Sequence, residues 1–208
     1  MDKSELYILL GPSGSGKSKL AADLREYVPE LVTCTTRDMR EGEKEGIDYY
    51  FVDESYFWNH EMVENVKIDG NLYGLSWKEL NDKLSGVDEN YLLDNKKVFI
   101  IMERNGVENL KKVLGDKLDI NVIYVISDIE DIIDRLERDR SYKEAFNRLS
   151  RIIIEGELSN YDIADYTILN KEGDGEYIEA LKKLYDIVLG FEARYRVLNM
   201  NLHEIDEW

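Results

Sequence analysis

LYILLGPSGSGKSK, residues 6–19, decides how the rest of the chain is read. An apolar run breaks directly into a glycine-rich loop ending in Lys-Ser, and residues 11–18 fit the phosphate-binding pattern G-x-x-x-x-G-K-[ST]. Gly11, Gly14 and Gly16 lack a Cβ, so the backbone can curl and turn several N–H groups inward as a cradle for phosphate oxygens. Pro12, Ser13, Ser15 and Lys19 complete the set expected to touch a nucleotide. Lys17 is expected to reach the β- and γ-phosphates, and the Ser18 hydroxyl to ligate Mg²⁺. The flanks agree: residues 5–10 read as a buried strand and 17–27 as a helix, whose dipole adds positive potential at the loop. The expected ligand is a nucleoside triphosphate or a closely similar phosphate ester.

Working outward, 208 residues suit one domain with inserted subdomains. The net charge of −17 argues against a nucleic-acid or anionic-membrane surface, because both repel an acidic chain. Anionic nucleotides must therefore be held by a few clustered cations. Cys34 is the single cysteine, which rules out an intramolecular disulfide and fits a reducing compartment. No signal peptide opens the chain and no apolar run approaches the length of a membrane helix, so a cytoplasmic protein is expected, acting as a monomer or homodimer.

Strand and helix patterns alternate. Residues 31–36 (LVTCTT) read as a second strand, followed by a polar loop, RDMREGEKEG. Residues 49–52, 63–68 and 72–75 read as strands and 54–61 as a short helix, with a hairpin turn at Asp69-Gly70-Asn71. This β-rich stretch, 37–76, reads as an insertion. Helices are expected at 77–84, 107–114, 129–136, 143–158 and 177–188. Residues 97–102 and 120–126 are continuous apolar runs, as expected of parallel strands buried on both faces, and 166–169 is a last short strand. Repeated βα units imply an α/β fold with a parallel sheet flanked by helices.

Residues 33–52, TCTTRDMREGEKEGIDYYFV, carry the second signal. With the phosphate loop they resemble the guanylate kinase family, whose hallmark is T-T-R-x-x-R-x-G-E-x-x-G-x-D-Y-x-F-V. The resemblance continues through GNLYG at 70–74, NGV at 105–107, RLERDR at 135–140, NRLSR at 147–151 and ADYTILN at 164–170, and covers roughly residues 5–188. It implies a P-loop kinase core (1–36 and 77–190), a nucleoside-monophosphate-binding insertion (37–76), a small lid near 138–147, and a C-terminal extension (190–208) without counterpart. It implies ATP-dependent phosphorylation of GMP or dGMP, with Mg²⁺.

The same resemblance places Arg37 and Arg40 on the acceptor phosphate, where their guanidinium forks suit a phosphate. It adds the hydroxyls of Tyr49 and Tyr73 there, and Thr33 against the base. Glu64 matches the carboxylate that reads guanine, whose N1–H and 2-amino group are adjacent donors; adenine would present a bare lone pair to it. Arg148 aligns with the arginine that bridges donor and acceptor phosphates. Arg138 and Arg140 are the candidates for the other lid position, while Arg135 is set aside as packing at a helix end. Asn170 follows the last strand and is expected to shape the adenine slot.

Two positions depart from the family pattern. The strand before NGV ends Ile101-Met102-Glu103 in place of two aspartates separated by one residue; Glu103 can stand in for the second. Leu75 stands where a Ser or Thr contacts the guanine carbonyl, and Ser76 is the nearest hydroxyl. These departures leave two rivals. One is a same-fold kinase of another phosphorylated small molecule, such as a deoxynucleotide or a phosphorylated ribose, against which Glu64 speaks where the ligand is a bare sugar. The other is a non-catalytic protein-binding domain of the same fold, against which the intact Gly16-Lys17-Ser18 speaks.

Overall fold

The computed structural model describes residues 3–68, 70–85, 97–139 and 141–190. Its strands fall into two sheets of four. The first has the order β6-β1-β7-β8, from β1 (Glu5–Leu10), β6 (Lys97–Ile101), β7 (Asp119–Ile126) and β8 (Tyr166–Leu169); its pairs β1–β6 and β7–β8 are parallel. The continuous apolar runs become these strands. Leu6, Ile8, Leu9, Val98, Phe99, Val122, Ile123 and Val125 are all fully enclosed, as strands covered on both faces require. The second sheet has the order β3-β2-β5-β4, from β2 (Cys34–Thr35), β3 (Tyr50–Phe51), β4 (Met62–Ile68) and β5 (Asn71–Ser76).

The chain forms two compact units. The first comprises residues 1–10 and 25–122. Here the expected strand at 31–36 is divided. Leu31 N–H donates to Phe99 O at 2.8 Å and Phe99 N–H to Pro29 O at 3.0 Å, so residues 29–31 run beside β6. The chain then leaves for the second sheet, where Cys34 and Thr35 pair in parallel with β3 and antiparallel with β5. A β-branched run shows that a strand forms, not which neighbours it takes. β4 and β5 make an antiparallel hairpin with Glu64 opposite Leu75 and Val66 opposite Tyr73. Gly70 closes it at φ +86°; Asp69 of the expected turn lies outside the described residues. The short helix α2 (Glu54–Asn59) is capped by the Asp53 carboxylate. The helix α3 (Trp77–Ser85) follows β5 directly, and α4 (Arg104–Leu114) packs on β4.

The second unit comprises residues 11–24 and 123–208, of which 191–208 lie outside the described residues, so the expected C-terminal extension is not placed. Its helix α1 (Lys17–Leu24) ends three residues before the expected 27 and packs on α7 (Asp174–Val188), burying Leu20, Ala21 and Leu24 on one side and Leu184 and Val188 on the other. α5 (Ile129–Asp139) and α6 (Tyr142–Ile154) close on each other through Ile132, Leu136, Ala145 and Ile152. The residues expected as a lid, 138–147, include the end of α5 and the start of α6, with Arg140 outside the described residues. Ser141 starts α6 with a reciprocal capping box, its N–H donating to Glu144 Oε2 at 3.1 Å. The helix expected over 143–158 stops at Ile154 and is followed by a 3₁₀ helix, Glu157–Ile163. The core expected as 1–36 with 77–190 is thus shared between the two units. Among the described residues no helix is long and apolar enough to cross a membrane.

Candidate phosphate- and base-binding site

In the second unit, the glycines of the loop after β1 adopt left-handed backbone: φ is +152° at Gly11 and +87° at Gly16. A Cβ at Gly11 would lie 2.3 Å from Val125 O, and one at Gly16 would lie 2.2 Å from Asn170 Nδ2. Only glycine fits either position. Lys17 Nζ donates to Gly11 O at 2.7 Å and Pro12 O at 2.8 Å, which lays the ammonium along the inside of the loop. Ser13 N–H donates to the Glu157 carboxylate at 3.2 Å, so this loop amide already faces an anionic oxygen. Ser15 N–H closes the turn onto Pro12 O at 3.2 Å, and its hydroxyl is buried with no hydrogen-bond partner. Ser18 is exposed at the start of α1. Lys19 turns away from the loop, its ammonium 3.8 Å from the centre of the Tyr177 ring.

Asn170 is 3% exposed. Its Nδ2 donates to Ser15 O at 2.7 Å, while Oδ1 is buried without a partner. It braces the loop directly, a tie the sequence reading did not contain. The arginine that reaches the loop is Arg135, the one set aside. Its Nη1 donates to Gly14 O and to Ser127 Oγ, both at 3.1 Å, its Nη2 to Asn170 O at 3.2 Å, and its Nε to Glu172 at 2.9 Å. Arg138 instead bonds Glu172 at 3.0 Å with its side chain mostly in solvent. Arg140 lies outside the described residues. Arg148 is half-buried on α6, with its Nε enclosed and unpartnered. Ser15, Asn170 and Arg148 therefore each hold a buried polar atom without a partner, an arrangement that stable interiors avoid and that ligands complete.

In the first unit, Arg37, Tyr49 and Tyr73 come together. The Tyr49 and Tyr73 rings meet edge to face at 5.9 Å, and the Arg37 guanidinium lies 5.4 Å from the Tyr49 ring centre. Glu43 grips Arg37 bidentately, at 3.0 Å from Nη1 and 2.8 Å from Nη2, and also accepts the Arg40 N–H at 2.8 Å. Partial burial opposes the charge on Arg37, but Glu43 outweighs it, with help from Tyr73, and holds the guanidinium above its ordinary pKa. Arg40 is exposed. Glu103 is exposed just before α4 and lies close enough for its charge to act on Tyr49. Thr33 is half-buried, its carbonyl accepting Tyr50 N–H at 2.9 Å.

Ser76 has a structural task that its expected role did not include. It is 2% exposed, and its hydroxyl accepts Glu79 N–H at 3.1 Å, capping α3. The Glu79 carboxylate turns instead to Val32 N–H at 3.0 Å and the Tyr50 hydroxyl at 3.3 Å.

Glu64 is 8% exposed. Burial pushes its carboxyl up to about 7, offset only by a hydrogen bond from Leu75 N–H, and Oε2 is enclosed without a partner. Because the folded protein holds this proton more tightly than the unfolded chain, the associated stability is full below about 4.5 and is lost as pH rises through about 7. Glu64→Gln, which mimics the protonated form, should be within about 1 kcal/mol of wild type at pH 5 and more stable than it by about 3 kcal/mol at pH 8. Calorimetric melts at the two pH values check this; equal differences at both would show that the carboxyl is not held dry.

Successive residues on one face of a strand are two apart, about 7 Å. The hairpin therefore sets the Glu64–Leu75 pair and the Val66–Tyr73 pair on one face at that spacing. The position with an open carboxylate acceptor is thus one same-face step along the hairpin from the tyrosine that joins the arginine cluster.

A family model described as guanylate kinase matches residues 3–188. A guanylate kinase of Legionella pneumophila (strain Lens) is 30% identical over 201 residues, covering 93% of this chain and 89% of the relative. One from Chlorobaculum tepidum is 32% identical over 182 residues, covering 83% and 87%. The crystal structure of guanylate kinase from Anaplasma phagocytophilum superposes with a TM-score of 0.62 at 25% identity, covering 90% of this chain and 85% of that one.

Proposed function

The chain belongs to the guanylate kinase family, a family of phosphotransferases, and from that premise we propose that it moves the γ-phosphoryl group of ATP onto GMP or dGMP by in-line transfer. The observation that carries the choice of acceptor is the β4–β5 hairpin. Its Glu64 offers a buried, unpartnered carboxylate oxygen two residues along from the Tyr73 position. Guanine has the paired donors that such a carboxylate needs, and a bare ribose phosphate does not.

In this reading the loop amides from Gly11 to Ser18 and the Lys17 ammonium hold the β- and γ-phosphates. Lys17 exchanges the carbonyls of Gly11 and Pro12 for phosphate oxygens. Arg135 holds the loop in shape through Gly14 and Asn170. Arg148 supplies positive charge as it spreads over the transferring oxygens, the step at which fixed charge counts most. On the acceptor, Arg37 and Arg40 hold the phosphate with the hydroxyls of Tyr49 and Tyr73, and Glu64 orients the base. Asn170 bounds the adenine slot. Among the described residues no group of three His, Cys, Asp or Glu side chains could cage a metal, so the donors present suit an ion that arrives on the nucleotide. Ser18 would hold Mg²⁺ there, which neutralises charge on the phosphate oxygens when bound.

A coupled assay with ATP across GMP, dGMP, AMP, CMP, UMP and ribose 5-phosphate tests this reading. GMP and dGMP should give the highest kcat/KM at pH 8. A higher value for any of the others at that pH would overturn it.

A further inference from the structure

Leu75 faces Glu64 across the β4–β5 ladder and is fully buried. Cross-strand partners share one face of a sheet, so the leucine side chain stands beside the carboxyl. The nearest hydroxyl in sequence, Ser76, is 2% exposed and accepts the Glu79 N–H at the start of α3. Charge does not set the state of Glu64. On β4 itself, Lys67 is three residues away and so projects to the other face, and Glu61 is exposed. β5 contributes Tyr73. On α4, Arg104 and Glu108 bond each other at 3.0 Å, and Lys111 and Lys112 lie in the last turn. None of these acts measurably on the carboxyl; burial and the Leu75 N–H do.

We infer that Leu75 is a specificity-determining residue: by walling Glu64 with hydrocarbon, it makes the choice of base depend on whether that carboxyl carries its proton. The inference rests on the reading of Glu64 as the group that faces the base. The carboxylate presents two acceptors, which match the N1–H and 2-amino donors of guanine. The carboxylic acid presents an O–H donor beside a carbonyl acceptor. That edge fits a base with an acceptor beside an amino donor, namely adenine at N1 and the 6-amino group, or cytosine at N3 and the 4-amino group. Burial places the crossing near pH 7, within the range in which the protein is assayed. Above it the site takes guanine; below it the advantage over AMP and CMP narrows. A hydroxyl at position 75 would solvate the carboxylate and move the crossing down.

The test compares wild type with Leu75→Ser, and with Leu75→Thr, which is closer in volume should the serine variant fail to fold. The ratio of kcat/KM for GMP to that for AMP is measured from pH 6 to 8.5 at saturating ATP. Taking the ratio cancels the titration of the nucleotide phosphate, which both acceptors share. In wild type it should rise at least ten-fold between pH 6 and 8. In the hydroxyl variants it should start higher and change less than about three-fold, since their Glu64 is already ionised at pH 6. Glutamate δ-¹³C NMR of the free protein, assigned with Glu64→Gln, should show the carboxyl titrating at lower pH in the variants. A flat wild-type ratio, AMP turnover as poor at pH 6 as at pH 8, or Glu64 titrating at one pH in all proteins overturns the inference. If GMP is an acceptor but the ratio is flat, only this inference fails. If GMP is no acceptor at any pH, the proposed function fails with it.

Discussion

Replacing Lys17 with alanine should lower kcat for phosphoryl transfer about a thousand-fold while leaving the fold intact. In this structure the ammonium donates to the loop carbonyls of Gly11 and Pro12, at 2.7 and 2.8 Å. Water can serve those carbonyls in its absence, because Lys17 is only half-buried. In the proposed mechanism its chemical task falls in the reaction, where negative charge develops on the β–γ bridging oxygen of the leaving group as that bond breaks. Removing one pre-positioned donor to developing charge typically costs about 10²–10³ in rate, and this donor carries a full charge. Steady-state kinetics with GMP and ATP read the first effect, and a thermal melt the second. Turnover within ten-fold of wild type would remove the loop from the mechanism.

Gly11→Ala should damage both the fold and the nucleotide site. The new Cβ would sit 2.3 Å from the Val125 carbonyl oxygen and 3.1 Å from Ser15 Oγ. The carbonyl belongs to β7, which pairs with β8 and has no slack to move. Left-handed backbone adds about 1–2 kcal/mol for a residue with a side chain. Together these should lower the melting temperature by several degrees and weaken ATP at least a hundred-fold, since the loop must open to relieve the clash. Gly42→Ala is the matched control. Gly42 also has positive φ, +86°, but a Cβ there meets nothing within 4 Å. It should show the backbone cost alone. ATP affinity in Gly11→Ala equal to that of the control would mean that the loop tolerates the extra atom.

The parts of this molecule that were legible in advance are those governed by local rules. The loop after β1 is legible because only glycine takes its angles and its close approaches. The strands β1, β6 and β7 are legible because burial on both faces leaves unbroken apolar runs. What escaped was set by tertiary choice. Leu31 and Cys34–Thr35 belong to one run, 31–36, that reads as a single strand, yet they bond to different sheets. Arg135 and Arg138 lie one helical turn apart on α5, and nothing in their spacing says which guanidinium finds Gly14 and Asn170 and which bonds Glu172 from a mostly solvated position. Ser76 did carry a readable signal. Ser76-Trp77-Lys78-Glu79 has the Ser-x-x-Glu form of a helix start, and the hydroxyl accepts the Glu79 N–H as that cap requires. Glu43 stood in the same motif as Arg37 and Arg40, but its place in the arginine fork needed coordinates.

In the proposed role of Arg37, that place changes what acceptor binding is. An arginine fork held by an internal carboxylate is not a vacant receptor. A phosphate must compete against a tethered anion, whose effective concentration is that of a neighbour on the same loop. The affinity of the fork for any phosphate is discounted by the small fraction of time it stands open. A lone inorganic phosphate, with no other hold on the protein, loses that contest. A nucleotide that also engages Glu64 and the two tyrosines brings enough additional contacts to win it. The exchange swaps one anion for another around Arg37, so it releases few bulk ions and should depend only weakly on salt. A chain with a net charge of −17 thus keeps a cationic socket in an acidic surface without leaving it open to every anion in solution.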